Sequence, residues 1–196
     1  MNPVPKGTVL FRAGDASSSF FIIEAGLVRV TRPFERNAPF VSVFGSGAVF
    51  GERGLVAQGP RTATAETLCD STLTEIACSD FADAATRLPD LWAWLARQLL
   101  QRNADMERRI FSMTHLRVER RILLLLADFA DSMEAVPEPH RLPLTQNDVA
   151  MLVGATRETT STTLNQLQRR GLLRLGRGVI EVASAEALRT AAQSSR

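Results

Sequence analysis

The sequence predicts an α+β chain in three consecutive parts: a small β sandwich or barrel, a long amphipathic helix and a winged helix-turn-helix. Three observations carry this. Short β-branched runs broken by glycine turns fill residues 7–76. A helical apolar period runs from about residue 90 to 113. Residues 144–173, LTQNDVAMLVGATRETTSTTLNQLQRRGLL, read as two short helices about a glycine-centred turn.

In the first part, residues 9–11, 20–23, 27–31, 40–44, 62–67 and 71–76 alternate or are β-branched. Gly14-Asp15, Gly26, Gly45, Gly47 and Gly59-Pro60 punctuate them, the pattern of a small all-β unit. Nothing in it has the spacing of a catalytic triad. His115 and His140, the two histidines of the chain, lie outside it.

In the second part, Trp92, Leu95, Leu99, Met106, Ile110 and Met113 make one apolar stripe. The stripe outruns the edge of a small β domain, so its distal half is expected to be a dimer seam. A helix packed wholly within its own chain is the alternative. Arg102 interrupts the stripe, and a hinge is expected near residues 114–118.

Residues 120–132 predict a supporting helix, followed by a loop over 133–143 with Pro137, Pro139 and Pro143. Thr145 is placed to cap the next helix, with Asp148 at its positive end. Gly154 permits the tight exit, and Thr156 caps a second helix reaching about residue 170. There Leu164 and Leu167 face inward, while Arg157, Glu158, Ser161 and Thr162 face outward. A second helix that is polar and outward-facing at its start suits a major-groove reader, whose first residues meet base edges. Two β runs, 172–175 and 179–182, flank Gly176-Arg177-Gly178 as a wing, offering Arg177 to a phosphate. The tail from residue 183 starts helical and ends frayed.

The composition narrows the function classes. The chain has 196 residues, 45% of them hydrophobic, enough for a core in each of two domains. No apolar run is long enough to span a membrane and the start is no signal peptide, so a cytoplasmic location and no membrane partner are expected. Cys69 and Cys78 are wrongly spaced for zinc or a disulfide framework, and no metal is expected. Residues 1–88 carry a net charge of −1, whereas residues 141–178 carry +4. Positive charge therefore collects where the reading helix lies, as attraction to duplex DNA requires.

The order of the parts, with FGERGL at 50–55, RTATA at 61–65 and GATRETTSTTL at 154–164, resembles the cyclic-AMP receptor protein (CRP/FNR) family of transcription regulators. The resemblance spans nearly the whole chain. It implies that the β part is a double-stranded β-helix, or jelly roll, with a cyclic-nucleotide cassette. It assigns residues 1–88 to this sensor, 89–116 to the dimerisation helix and 117–196 to the winged helix. In the cassette, Arg61 offers a charged fork to a cyclic phosphate and Thr62 adds a hydroxyl. Backbone near Gly51 approaches closely, and Glu52 suits a ribose hydroxyl. Cyclic AMP is the candidate effector. The other reading open at this stage is that Glu52 and Arg61 form a structural ion pair in an empty pocket. Haem and iron–sulfur chemistry are not expected, because the cysteines and the histidine-free roll match neither.

Two departures stand out. Arg53 occupies a position usually small or apolar in the family. Met106-Glu107 stands where cyclic-AMP responders carry adjacent hydroxyl residues. On the reading helix, Arg157 and Glu158 match the family and imply contacts to guanine and to the cytosine amino group. Thr162 replaces an arginine one turn later. Thr145, Gln146, Thr156 and Arg177 are the expected phosphate contacts, with Ser161 on the same outward face. The expected activity is dimeric binding of a palindromic operator, with RNA polymerase a partner if the protein activates. A cyclic-nucleotide-binding module acting on a protein partner is the alternative, and no enzyme constellation is found.

Overall fold

The computed structural model describes residues 2–33, 40–57, 59–132 and 140–194. The chain divides between Met106 and Glu107 into two compact units. In the first, strands β1 (Asn2–Val4), β2 (Val9–Phe11), β3 (Ser19–Ala25), β4 (Val28–Arg32), β5 (Phe40–Phe44), β6 (Val49–Phe50), β7 (Thr64–Thr67) and β8 (Ser71–Ala77) form two sheets. Their orders are β1-β8-β3-β6 and β2-β7-β4-β5, antiparallel throughout. This is a jelly roll. Alternation along the strands sends Phe11, Phe21, Ile23, Val28, Phe50, Ala65 and Leu73 into one shared core. The rings of Phe21 and Phe50 stack with centroids 5.3 Å apart, and Phe44 stacks on Phe50 at 6.3 Å.

β3 is buried on both faces. Its Phe20 turns outward onto Phe81 and Ala85 of α1 (Cys78–Arg87) and Leu95 of α2 (Asp90–His115). Phe20 meets Phe81 edge-on at 5.4 Å. Among the strands expected in this unit, 9–11 and 40–44 are reproduced residue for residue, and the others differ by one or two positions at their ends. β1, β6 and α1 were not expected. β1 and β6 are three and two residues long and exist through pairing with β8 and β3, which no local pattern announces.

The second unit takes in the end of α2, then α3 (Val118–Asp131), β9 (His140–Leu142), α4 (Gln146–Val153), α5 (Arg157–Arg169), β10 (Leu173–Gly176), β11 (Val179–Val182) and α6 (Ala185–Ser194). The expected hinge region contains the break between α2 and α3, at Leu116 and Arg117. Of the expected loop, residues 133–139 lie outside the described residues. Its end instead forms β9, which completes a β10-β11-β9 sheet by pairing with β11. Ile122, Leu123, Leu126 and Ala127 of α3 are buried, as are Leu164 and Leu167 of α5 and Leu188 of α6. Among the described residues, no helix is long and apolar enough to cross a membrane.

The aromatic stack makes the roll sensitive to truncation at its centre. Phe50→Ala is expected to cost about 3–5 kcal/mol, the usual toll for deleting a buried phenyl ring. Urea denaturation followed by far-ultraviolet circular dichroism measures it.

Candidate functional site

Each unit carries one cluster of the residues singled out above. In the first, Gly51, Glu52, Arg61 and Thr62 line a single cavity, with Phe11, Phe44 and Phe50 among its other walls. A 3-10 turn, Glu52–Leu55, follows directly on β6. Gly51 makes the corner with φ 82°, and a methyl group there would lie 2.8 Å from Arg61 Nη1. The close approach of backbone to guanidinium and the left-handed backbone both favour a residue without a side chain.

Arg61 is 7% exposed. Its Nη1 donates to Gly51 O at 3.0 Å and its Nη2 to Ser19 Oγ at 3.2 Å. Ser19 Oγ donates in turn to Glu75 Oε1 at 2.6 Å. The guanidinium carbon sits 4.2 Å from the Phe11 ring centroid. Burial pulls the Arg61 pKa down, opposed by Cys78, Glu75, Asp15 and Glu52. Burial likewise pushes the Cys78 thiol up against the pull of Arg61. Arg61 Nε is buried with no hydrogen-bond partner, a spare donor at the position assigned to an anion.

The alternative of a Glu52–Arg61 ion pair is not what the structure shows. Glu52 Oε1 instead accepts from Arg102 Nη1 at 3.1 Å, and the Arg102 guanidinium lies 4.8 Å from the Phe44 ring centroid. The residue that interrupted the apolar stripe of α2 is thus a wall of the cavity. A lone charge on an apolar helix face was the available signal. Arg32 and Arg53 also line the cavity and were not predicted to do so.

In the second unit, α4 starts with a reciprocal capping box. Asp148 N donates to Thr145 Oγ1 at 3.1 Å, and Thr145 N donates to Asp148 Oδ2 at 2.9 Å. Gly154 ends α4 in the left-handed region at φ 63°. Arg121 Nη1 of α3 donates to Val153 O at 2.5 Å, securing that turn. Thr156 caps α5, accepting from Thr159 N at 3.1 Å.

After Arg157 and Glu158, helix α5 carries a run of hydroxylated residues at 159–163, poor helix formers that favour competing local hydrogen bonds. Capping at Thr156 and burial of Leu164 and Leu167 hold it instead. Arg157, Glu158, Thr159 and Thr162 are exposed, whereas Ser161 is only half-buried rather than fully outward. Thr145, Gln146 and Arg157 line one cleft with Gly176, Gly178 and Val179 of the wing, and its volume is about 330 Å³. Arg177 is exposed at the turn between β10 and β11. Among the described residues, no group of three or more His, Cys, Asp or Glu is placed to hold a metal ion.

Comparison with known proteins finds one family model for the β part of the chain and a second for the helical part that follows. The family model described as a cyclic nucleotide-binding domain matches residues 1–87, and that of the Crp-like helix-turn-helix domain matches residues 94–191. The cyclic AMP receptor protein of Thermus thermophilus is 30% identical over 192 residues, covering 94% of this chain and 84% of that protein. The chain belongs to the CRP family. It is a DNA-binding transcription regulator of the CRP/FNR type with a cyclic nucleotide-binding domain. A CRP-like cAMP-activated global transcriptional regulator of Mycobacterium tuberculosis is also 30% identical, over 190 residues, covering 94% of this chain and 84% of that one. The solved structure of the c-di-GMP-responsive regulator CLP of Xanthomonas campestris is 27% identical, with a TM-score of 0.70 and 93% of each chain covered. A CRP-family regulator of T. thermophilus, 21% identical with a TM-score of 0.77, shares the fold over 100% of this chain and 98% of its own.

One flaw in the reading helix is open to measurement. Thr160 is fully buried and its Oγ1 has no partner. Thr160→Val is expected to stabilise the protein by about 1 kcal/mol, because it removes a desolvated hydroxyl at nearly constant shape. The thermal unfolding midpoint should rise, and an unchanged or lower midpoint contradicts this account.

Proposed function

We propose that two copies pair along α2 and grip a palindromic operator, and that a nucleotide in the β-roll pocket modulates this binding. The roll of residues 1–88 senses, residues 89–116 pair the copies, and residues 117–196 read DNA. The observation that carries this reading is the sidedness of α5. Arg157, Glu158 and Thr162 are exposed, while Thr160, Leu164 and Leu167 are buried. Side chains free at the start of a helix are those a major groove meets.

Under this reading Arg157 pairs bidentately with a guanine, Glu158 accepts from a cytosine amino group, and Thr162 touches a thymine methyl or makes one hydrogen bond. Ser161, half-buried, borders that face. Thr145, Gln146, Thr156 and Arg177 hold phosphates and set the register. Dimerisation is supported by the apolar residues that α2 leaves exposed, among them Leu99, Met106, Ile110, Phe111 and Met113, with Ile110 at 62%. Paired reading helices then meet half-sites about 34–36 Å apart. An activating role would add RNA polymerase as a partner, and an operator as target places the protein in the cytoplasm.

For the effector, Arg61 with its spare Nε, Thr62 at the mouth and the bare corner of Gly51 suit a phosphate, and Glu52 suits a ribose hydroxyl. Cyclic AMP is the first ligand to test, given the relatives named for it. The cavity measures about 60 Å³, against roughly 300 Å³ or more for small-molecule sites, so a nucleotide must extend through its mouth or part its walls.

Arg157→Ala should weaken operator binding by about 1–3 kcal/mol and relax preference at a single base pair. Fluorescence anisotropy against a set of singly substituted operators reads both effects, and a uniform loss across sequences makes Arg157 a phosphate contact instead. Ile110→Glu should shift the protein from dimer to monomer in light scattering and lower operator affinity with it. A variant that remains dimeric excludes α2 as the seam.

A further inference from the structure

The cassette's own charges are already matched. Glu52 is paired with Arg102, and Arg61 is a single guanidinium for a single phosphate. Two further arginines line the same cavity: Arg32, at the end of β4, and Arg53, in the 3-10 turn after Gly51. Both are exposed, and neither is joined to a carboxylate among the described residues. The described lining thus presents four guanidiniums to one carboxylate. A cyclic mononucleotide brings one negative charge and leaves the outer pair without a counter-ion. Like charges at one opening repel, and an anion between them removes that cost. The volume points the same way. A cavity of about 60 Å³ cannot enclose a nucleotide unless its walls part, so with the walls as they stand part of a nucleotide held by Arg61 lies at the mouth, where Arg32 and Arg53 are.

We propose that Arg53 and Arg32 form a second anion-binding subsite at the mouth of the roll, selecting a nucleotide with at least one phosphate charge beyond the one Arg61 holds. The proposal rests on the reading that the roll binds a nucleotide at all. A cyclic dinucleotide and a linear nucleoside triphosphate share the required chemistry. Guanidinium forks suit either, because each presents phosphate oxygens in the planar spacing the fork matches.

The test is calorimetric titration of the full-length protein with cyclic AMP, a cyclic dinucleotide and ATP, repeated on Arg53→Gln and Arg32→Gln. Thermal melts and operator binding serve as folding controls. The expected result is that one of the multiply charged nucleotides binds about tenfold or more tightly than cyclic AMP, the worth of one added charge-assisted hydrogen bond. Which one it is identifies the source of the second charge. Either substitution should shrink that ratio to about threefold or less, and added salt should shrink it too. Cyclic AMP binding as tightly as the others, or a ratio that neither substitution alters, overturns the subsite and leaves the pocket reading standing. If protein that still binds its operator takes up none of the three, the pocket reading falls and the subsite falls with it.

Discussion

Burying the Arg61 guanidinium is the constraint around which the N-terminal unit is arranged. A charge taken from water is costly unless its donors are matched, and here the matching groups come from scattered places. Gly51 supplies a carbonyl from the corner after β6, Ser19 a hydroxyl from the first residue of β3, and Phe11 a ring face from β2. Each of these explains a residue type. Glycine suits position 51 because a side chain there would crowd Arg61 Nη1 and strain a left-handed backbone. Ser19, itself buried, is kept polar at the edge of a strand that is otherwise apolar through Ile23, and it passes the interaction on to Glu75. Phe11 belongs at once to the core and to the cavity. The site and the stability of the roll are therefore not separable at these positions.

The second unit solves a different problem by similar means. Short helices leave unpaired backbone groups at their ends, and two of its helices are short or poorly disposed to form. α4 has eight residues, yet its start is closed by the Thr145–Asp148 box and its end by Gly154 and the Arg121 side chain. A methyl group at Gly154 would also press on Met113 at 3.2 Å, so the end of α2 packs directly behind the turn. The ends of α4 are held by these contacts and not by helix propensity. That permits α5 to carry a threonine-rich surface chosen for what it meets outside.

These two units were legible in the sequence to different degrees, and for a physical reason. The caps at Thr145 and Thr156, the Gly154 turn and the inward Leu164 and Leu167 depend on residues within a few positions of each other, so the pattern shows them. β1, β6 and β9 depend on partners far along the chain, and their two or three residues carry no period of their own. The cassette residues were found because the family's motif names them, but their partners were not. Glu52 meets Arg102, fifty positions further along the chain, and not the Arg61 of the alternative ion pair. Ser161 fell between the faces because a helix of 3.6 residues per turn places it beside the buried stripe.

If α5 reads DNA as proposed, Thr162 sets what that helix can achieve by itself. An arginine at that position would offer a charged fork to a guanine, whereas threonine reaches less far and offers one hydroxyl and a methyl group. Losing a charged donor lowers both discrimination at one base pair and the number of cations near the groove. In the proposed reading, what remains to hold the duplex is Arg157, the helix starts at Thr145 and Thr156, and the wing with Arg177 exposed at its turn. The positive balance of residues 141–178 lies largely in arginines outside the reading face, at Arg141, Arg169, Arg170, Arg174 and Arg177, and of these Arg141 and Arg170 are paired with Glu181 and Glu119. Few phosphate-directed cations are left free at the start of α5. Under the proposed reading, one copy therefore grips an operator weakly, and the pairing of two copies on one palindrome supplies the specificity.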